Sequence, residues 1–581
     1  MHNAVQLSQP RHDVRVTLQE NVVLSAPIGT TLEVILESAI NQGPLQAQSL
    51  LIAAIVDGRL RELNTPLTRD VNVTPVFLNT TDGGRIYRRS LVLLMVTALD
   101  ELWEGTHVSV NYSVPDGGLY CEVVNRPDLS LTELRRLEER MRHIVAEDAP
   151  ITRRTVQLSE AQEMFRARGE YDKVRLLSYR YTDTLTLYRL RNREDYYYGY
   201  MVPSTRYLTV FKLKPADKGF ILQYPRAESP SELPPIKTYH KLSKVFHQTD
   251  QWLERLGLED IGRLNQVVQN NRIQELILVA EALHEQNIAH IATQICEEHQ
   301  EGRRLILIAG PSSSGKTTFA KRLAIQLLAH GLQPFTLELD NYFVDRHLTP
   351  RDESGEYNFE ALGALNLERF NQDLLKLMRG EHVQLPRFDF ITGHSQGGPH
   401  VQLPEKQIII VEGIHGLNPE LVPAIPTERI YRIYVSALTQ LNVDLHNRVP
   451  TTDVRMLRRI VRDASRRGYS ATDTLARWPS VRQGERSSIF PYQENADVMF
   501  NSALPYELAA LRPLAEPLLL QVVPGTPEHI EAKRLLSFLR WVVALNPHQI
   551  AMIPDTSILR EFVGGSILDD YHPGRPITEH P

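Results

Sequence analysis

Five apolar residues, Leu305-Ile-Leu-Ile-Ala309, run straight into Gly310-Pro311-Ser312-Ser313-Ser314-Gly315-Lys316-Thr317, and an amphipathic stretch follows. A short apolar run bounded by glycine reads as a buried strand, and the 3.6-residue spacing after it reads as a helix. A G-x-x-x-x-G-K-[ST] loop between two such elements turns its backbone N–H groups inward at a helix N-terminus, where phosphate oxygens bind. The glycines permit backbone conformations that a side chain would block. Lys316 then reaches the β- and γ-phosphates of a nucleoside triphosphate, and Thr317 offers its hydroxyl to Mg²⁺.

The surrounding sequence keeps the same rhythm. RLILIAG, TTFAKRLAIQLLAHG, FTLELD, LERFNQDLLKLMRG, QIIIVEG, RIYRIYVS and DVRMLRRIVRDASRRG alternate strand and helix patterns, which predicts a doubly wound parallel α/β domain over 301–525. FTLELD ends in Asp340. A carboxylate at the carboxyl end of a parallel strand lies at the ligand crevice, where it can take the proton of an acceptor hydroxyl or merely cap a helix. QIIIVEG ends in Glu412, placed to orient Mg²⁺ directly or through water. Arg455, Arg459, Arg462 and Arg466 are spaced four, three and four apart and line one helical face, with Arg458 and Arg467 beside it. Met456, Leu457, Ile460 and Val461 lie on another face and are expected to pack inward. Beside a phosphate loop the arginines read as a lid that neutralises transition-state charge; the plain alternatives are a solvated face or a nucleic-acid patch. No lysine follows an asparagine anywhere, so the N-K-x-D base-reading segment of a GTPase switch is missing.

Composition narrows the rest. A chain of 581 residues suggests about three to four domains. The net charge of −6 lacks the basic bias of a protein that lives on duplex nucleic acid. The two cysteines, Cys121 and Cys296, form no C-x-x-C pair, which argues for a reducing compartment and against structural zinc. The first residues hold no apolar signal core, and no run nears the roughly 18 apolar residues that span a bilayer. The expected location is cytoplasmic, with no membrane partner.

Residues 13–80 alternate short strands with one helical segment, TLEVILESAI, as a small β-grasp domain does. PIGTTLEVI and AAIVDGRLRELNTPL resemble a TGS domain. RRSLVLLMVTALDELW, read as an amphipathic helix, the hairpin VSVNYSVPDGGLYCEV and the segments after it resemble the second, editing-associated domain of threonyl-tRNA synthetases, so that 81–225 is assigned to it. The resemblance implies an H-x-x-x-H pair where Arg89 and Leu93 stand, and a C-x-G-P-H segment where Tyr200-Met-Val-Pro203-Ser204 stands. Leucine neither binds metal nor moves a proton. The editing chemistry reads as lost, and a scaffold or binding role, with RNA or tRNA contact as one form of it, as what remains. Residues 226–300 read as a linker and helical connector, with His284, His290, His299 and Cys296 on ordinary helix surface. Residues 526–581 read as a C-terminal helical tail without chemistry. The expected fold class is thus multidomain, α+β in front and a P-loop α/β domain behind.

GPSSSGKTT, the LDNYF strand end, YNFEALGAL, LPRFDFITGHS, IIIVEGI and RRIVRDASRRG occur in the order and spacing of uridine kinases, within a group that includes phosphoribulokinases. The resemblance implies an ATP/Mg²⁺-dependent kinase of a nucleoside 5′-hydroxyl, with uridine or cytidine foremost. Gly310, Pro311, Ser312, Ser313, Ser314, Gly315, Lys316, Thr317 and Thr318 would hold ATP, and Thr317 and Glu412 the Mg²⁺. Asp340 would be the general base, with Lys316, Arg462 and Arg467 on the transferring charge. Phe343, Phe359, Glu360, Phe388, His394 and Arg459 would line the acceptor pocket. Glu360 stands where the family has an aspartate for the ribose hydroxyls, Phe388 replaces a tyrosine, His394 falls one residue late, and Tyr469 replaces a further arginine. These departures keep open a purine nucleoside or phosphorylated sugar as acceptor. An RNA- or ribosome-associated P-loop ATPase is the reading from another class. Related kinases are often oligomeric, which implies a homo-oligomer.

Overall fold

The computed structural model describes residues 11–18, 22–216, 218–300, 302–351, 355, 357–389, 392–404 and 407–573. They form two compact units. The first comprises residues up to Lys237 together with two later segments, Asn442–Arg448 and Val523–Trp541; the second takes the remainder.

The first unit begins with a mixed five-stranded sheet of β-grasp arrangement. Strands β1 (Asp13–Thr17), β2 (Val23–Pro27), β3 (Leu51–Val56), β4 (Arg59–Glu62) and β5 (Val71–Phe77) stand in the order β2-β1-β5-β3-β4, with helix α1 (Leu32–Asn41) between β2 and β3. Only β1 and β5 run parallel. Helix α2 (Thr81–Leu102) follows at once. Thr80 caps it by accepting from the Gly83 amide, and a Cβ on Gly83 would lie 2.0 Å from the Phe77 carbonyl, so the helix can start this close to β5 only with glycine there. The amphipathic reading of this helix implied one exposed face. Instead every residue from Ser90 to Leu99 is buried, because the helix is enclosed in a continuous core that extends from Val14 to Tyr224.

Strands β6 (Val108–Val114) and β7 (Gly118–Val123), helix α3 (Leu131–Ala146), β8 (Ile151–Gln157), α4 (Leu158–Ala167), α5 (Tyr171–Leu177), β9 (Thr184–Leu190), β10 (Arg193–Asp195), β11 (Lys212–Pro215) and β12 (Phe220–Gln223) complete the unit's front segment as two antiparallel sheets, β11-β12-β7-β6 and β10-β9-β8. Segment Asn442–Arg448 lies along β6: the Val110 amide donates to the Leu445 carbonyl at 2.8 Å. A buried ionic cluster fixes it. Lys173 donates to Asp195 and Glu170 and meets His446 Nδ1 at 2.8 Å, and His446 pairs with Asp195 at 2.8 Å. Burial would raise the Asp195 carboxyl, but Lys173, His446 and Arg193 hold it well below the usual range.

The second unit opens with helices α6 (His240–Arg255), α7 (Ile261–Gln269) and α8 (Ile273–Gln300). His284 on α8 does not lie on the surface as its sequence context suggested. It is buried against the Phe500 ring with a ring nitrogen 3.2 Å from the Ala503 carbonyl, and burial pushes its pKa down to about 3. Next come β13 (Leu305–Ala309), α9 (Lys316–Ala329), β14 (Pro334–Glu338), α10 (Leu367–Met378), the hairpin β15 (Val383–Asp389) and β16 (His394–Val401), β17 (Ile408–Glu412), β18 (Ile430–Ser436), α11 (Thr451–Arg466), α12 (Ala471–Ser488), β19 (Val498–Asn501) and α13 (Glu507–Leu520). The five-stranded sheet β14-β17-β13-β18-β19 is parallel throughout. From β13 the chain crosses to one edge, and from β17 it returns to the other side of β13. Strand order reverses there, and the carboxyl ends of β13, β14 and β17 open the crevice in which ligands of such sheets bind. No described helix is long and apolar enough to cross a membrane.

Candidate active site

The loop after β13 has the shape its sequence requires. Ser313 (φ 58°) and Gly315 (φ 83°) both adopt the left-handed conformation, which turns successive amides to one side, and α9 starts at Lys316. Gly310 is held by proximity: a Cβ there would lie 1.9 Å from the Val435 carbonyl. The Lys316 ammonium donates to the loop's own Pro311 carbonyl at 3.3 Å.

The arginines of α11 brace this loop from its outer side. Arg455 donates to the Ser312 carbonyl at 3.0 Å, Arg458 to the Ser313 carbonyl at 3.4 Å, and Arg459 to Ser312 Oγ at 2.8 Å. Arg455, Arg458 and Arg459 are therefore not a solvated face, whereas Arg466 and Arg467 at the end of the helix are exposed, and the arginines divide in two. Arg455 and Arg458 are buried in ion pairs with Glu485 and Glu507 and act on structure. Arg462 and Arg467 lie further along and exert an electrostatic pull on Asp340. Met456, Leu457, Ile460 and Val461 are buried as their spacing predicted.

Two acids face the loop. Glu412 ends β17 and accepts from Thr317 Oγ1 at 2.8 Å. Burial pushes its carboxyl up to about 7 against the pull of Lys316, with Asp340 and Glu338 adding to the rise. Asp340 stands in the turn after β14. Burial raises its carboxyl too, opposed by Lys316, Arg467 and Arg462. A small cavity beside Glu412 is lined by Thr317, Lys321, Glu338, Glu412 and His572. A hydroxyl bonded to a carboxylate whose charge is poorly compensated is a donor set that suits a hard cation with oxygen ligands.

The aromatic residues expected around the acceptor come together. The Phe343 ring centroid is 6.4 Å from that of Phe359 and 5.6 Å from that of Phe388. Glu360 adjoins them and is seated on α12, where a Cβ on Gly484 would lie 2.2 Å from its own Cβ. Burial pushes Glu360 up to about 7, countered by Arg459. His394 is placed otherwise: its side chain is 59% exposed and pairs with Asp345 at 3.3 Å.

Sequence reasoning missed several participants. Glu485 and Glu507, which hold Arg455 and Arg458, look like ordinary helix residues. His415 is buried against the backbone near Ala361, and burial pushes it down to about 4. The tail read as inert reaches the phosphate loop through Ile558 and Glu561.

In the first unit, Arg89 and Leu93, which stand where the resemblance implies a histidine pair, are both engaged. Arg89 donates to the Tyr200 carbonyl at 2.8 Å and lies over the Tyr198 ring, and Leu93 is fully buried.

Residues 305–508 match the model of the Phosphoribulokinase / Uridine kinase family. That segment, about a third of the chain, is similar to this family, and it holds the parallel sheet and phosphate loop described above. The N-terminal region is similar to threonine–tRNA ligases: 34% identity over 178 residues to that of Burkholderia ambifaria, covering 30% of this chain and 28% of the relative. For the ligase of Halalkalibacterium halodurans it is 32% over 202 residues, or 34% and 31% of the two chains. The chain thus spans less than a third of the length of these relatives. Among solved structures, one described as a "Possible Uridine Kinase" from Bacillus stearothermophilus is similar at 19% identity, over 34% of this chain and 89% of that one, with a TM-score of 0.24.

Proposed function

We propose that the chain is an ATP- and Mg²⁺-dependent kinase that transfers the γ-phosphoryl group to the 5′-hydroxyl of a nucleoside, uridine or cytidine. The observation that carries the reading is Asp340: an acid with a raised carboxyl pKa, within the fields of Lys316, Arg462 and Arg467. A switch ATPase needs an acid to orient water, but it has no use for an aromatic pocket with a carboxylate such as Glu360. Bound Mg²⁺ would neutralise charge on the β- and γ-phosphates, held by Thr317 and Glu412. In this scheme Lys316 leaves the Pro311 carbonyl for the phosphates. Phe343, Phe359 and Phe388 wall the base and sugar, and Glu360 accepts hydrogen bonds from the ribose hydroxyls. Asp340 takes the 5′-hydroxyl proton as the new O–P bond forms and the bond to the ADP oxygen breaks. Arg462 and Arg467 face the charge of the in-flight phosphoryl group, and Arg459 binds at the acceptor side. His394 contacts the base only if it leaves Asp345.

The front unit is proposed as a TGS-like and synthetase-derived scaffold or binding module without editing chemistry, on the ground that Arg89 and Leu93 occupy the places of the two imidazoles.

A panel of nucleosides with ATP and Mg²⁺, followed for ADP and monophosphate, tests the proposal. Uridine and cytidine are expected to turn over above the water blank. If no nucleoside exceeds the blank while RNA stimulates hydrolysis, the kinase reading fails.

A further inference from the structure

The family match ends at residue 508, yet a later segment of the same unit lies against the phosphate loop. Ile558, Leu559 and Phe562 are fully buried. A Cβ on Gly315, the second glycine of the loop, would meet Ile558 Cγ2 at 2.4 Å, so this segment closes the loop's flank. Lys321 on α9 donates to the Leu568 carbonyl at 2.7 Å, and Arg466 on α11 pairs with Asp569 at 2.9 Å. The tail therefore bonds both the helix that begins at the loop and the helix that carries the lid arginines.

Glu561 sits where these two meet. One of its carboxylate oxygens accepts from Thr318 Oγ1 at 2.9 Å, in the first turn of α9. The other lies 3.4 Å from Arg462 Nη1. The Phe562 ring underlies the same guanidinium, 6.0 Å from its centre. A guanidinium has five N–H donors in a fixed fork, and Glu561 engages one edge of it. Arg462 Nε makes no hydrogen bond and lies 3.5 Å from Asp463 Oδ1, a looser ion pair on its other edge. A long cationic side chain held at one edge and supported by a ring is pre-aimed, with donors left over for a phosphate.

We propose that Glu561 is a positioning residue for phosphoryl transfer, setting Arg462 against the phosphate loop and fixing the first turn of α9 through Thr318. The inference rests on the reading that Arg462 meets transferring charge. It makes the C-terminal segment a working part of the kinase site. Because Glu561 is itself an anion beside a triphosphate site, it adds nothing to ground-state binding of ATP. Its contribution through Arg462 is realised in the transition state, and because Gln can still accept from Thr318, Glu561→Gln isolates that contribution and gives it a distinctive kinetic signature.

The test uses the full chain and the variants Glu561→Gln, Arg462→Ala and the double variant. Two quantities are measured: ADP release with the best acceptor, or with water if none serves, and equilibrium affinity for a non-hydrolysable ATP analogue with Mg²⁺. Glu561→Gln keeps the volume and the Thr318 bond and is expected to lower turnover roughly tenfold, with analogue affinity and melting temperature unchanged. In the Arg462→Ala background the same change is expected to cost nothing further. Glu561→Asp, which keeps the charge and shortens the reach, moves turnover in the same direction. Multiplicative losses in the double variant overturn the inference, as does a faster Glu561→Gln enzyme, which would make Glu561 an inhibitory stand-in for phosphate. If no nucleoside is phosphorylated but the cycle on water-driven ADP release is still non-additive, the kinase reading falls and this inference stands.

Discussion

Thr317 Oγ1 donates to Glu412 Oε1 at 2.8 Å, so the two residues expected to hold Mg²⁺ hold each other. The bond does not offset the loss of solvation, and the Glu412 carboxyl rises from its ordinary 4.5 to about 7. A group whose pKa is raised on folding lends stability that is complete below its unfolded value and is lost as pH rises through the folded one. In EDTA the melting temperature should therefore fall between about pH 5 and pH 8. Mg²⁺ binds the ionised form, so its affinity should climb over the same window. Binding near pH 7 should release protons, visible by calorimetry in buffers of different ionisation enthalpy. Glu412→Gln should abolish both the Mg²⁺ dependence and the proton release; proton release that persists in this variant would move the metal elsewhere.

Asp340→Asn should reduce transfer by about 10²–10⁴-fold, the usual weight of a general base, and leave ATP affinity largely intact. The amide keeps the volume and removes the proton acceptor. Loss of ATP binding in this variant would reassign Asp340 to the metal or to the fold.

Two arginines separated by twelve positions around α11 should fail in opposite ways. Arg455 is 1% exposed and pairs with Glu485, which is fully buried. Arg455→Ala leaves that carboxylate without its main partner and should cost about 3–5 kcal/mol in denaturant melts. Arg467 has a half-exposed side chain, 3.5 Å from Asp463, and a contact of that kind is worth about 0–1 kcal/mol. Arg467→Ala should melt like the parent and lose turnover by on the order of a hundredfold. Equal stability losses would undo the division between bracing and lid arginines.

The division of labour in the sequence follows contact range. Strand, loop and helix around Lys316 are consecutive, so local pattern was enough to find them, and Asp340 and Glu412 stand out as candidates because each follows a strand-like run that ends in an acid. The spacing of the α11 arginines identified the face but not its partners. Glu485, Glu507 and Glu561 lie about thirty to a hundred residues away, and nothing local distinguishes a glutamate that holds a buried arginine from one in water. His284 failed for the same reason: α8 packs on β19 through Phe500, and no periodicity within α8 reveals what covers it. The placement of Asn442–Arg448 in the first unit is equally non-local, since it depends on Lys173 some 270 residues earlier in the chain.

That last contact yields a prediction about the front unit. Lys173 is 2% exposed at its side chain, and the carboxylates it serves, Asp195 and Glu170, are 0% and 1% exposed. Lys173→Met keeps the bulk and removes the shared cation. The two acids then face each other with Arg193, His446 and, at the Glu170 end, Arg168 for compensation, at a cost of about 3–5 kcal/mol. A whole-chain melt is a poor reporter in a protein of two units, because its unfolding need not be two-state. Hydrogen exchange is the better one. The Leu445 amide is bonded to Asp172, the His446 and Asn447 amides to Asp444, and all three report on how firmly the segment is held. In Lys173→Met these amides should exchange at least tenfold faster, corresponding to about 1.4 kcal/mol or more of lost local stability. Amides of β13 should keep the parent's rates. Unchanged protection over 442–448 would mean that the backbone pairing along β6 holds the segment without the ionic cluster, and that the cluster serves α5 and β10 alone.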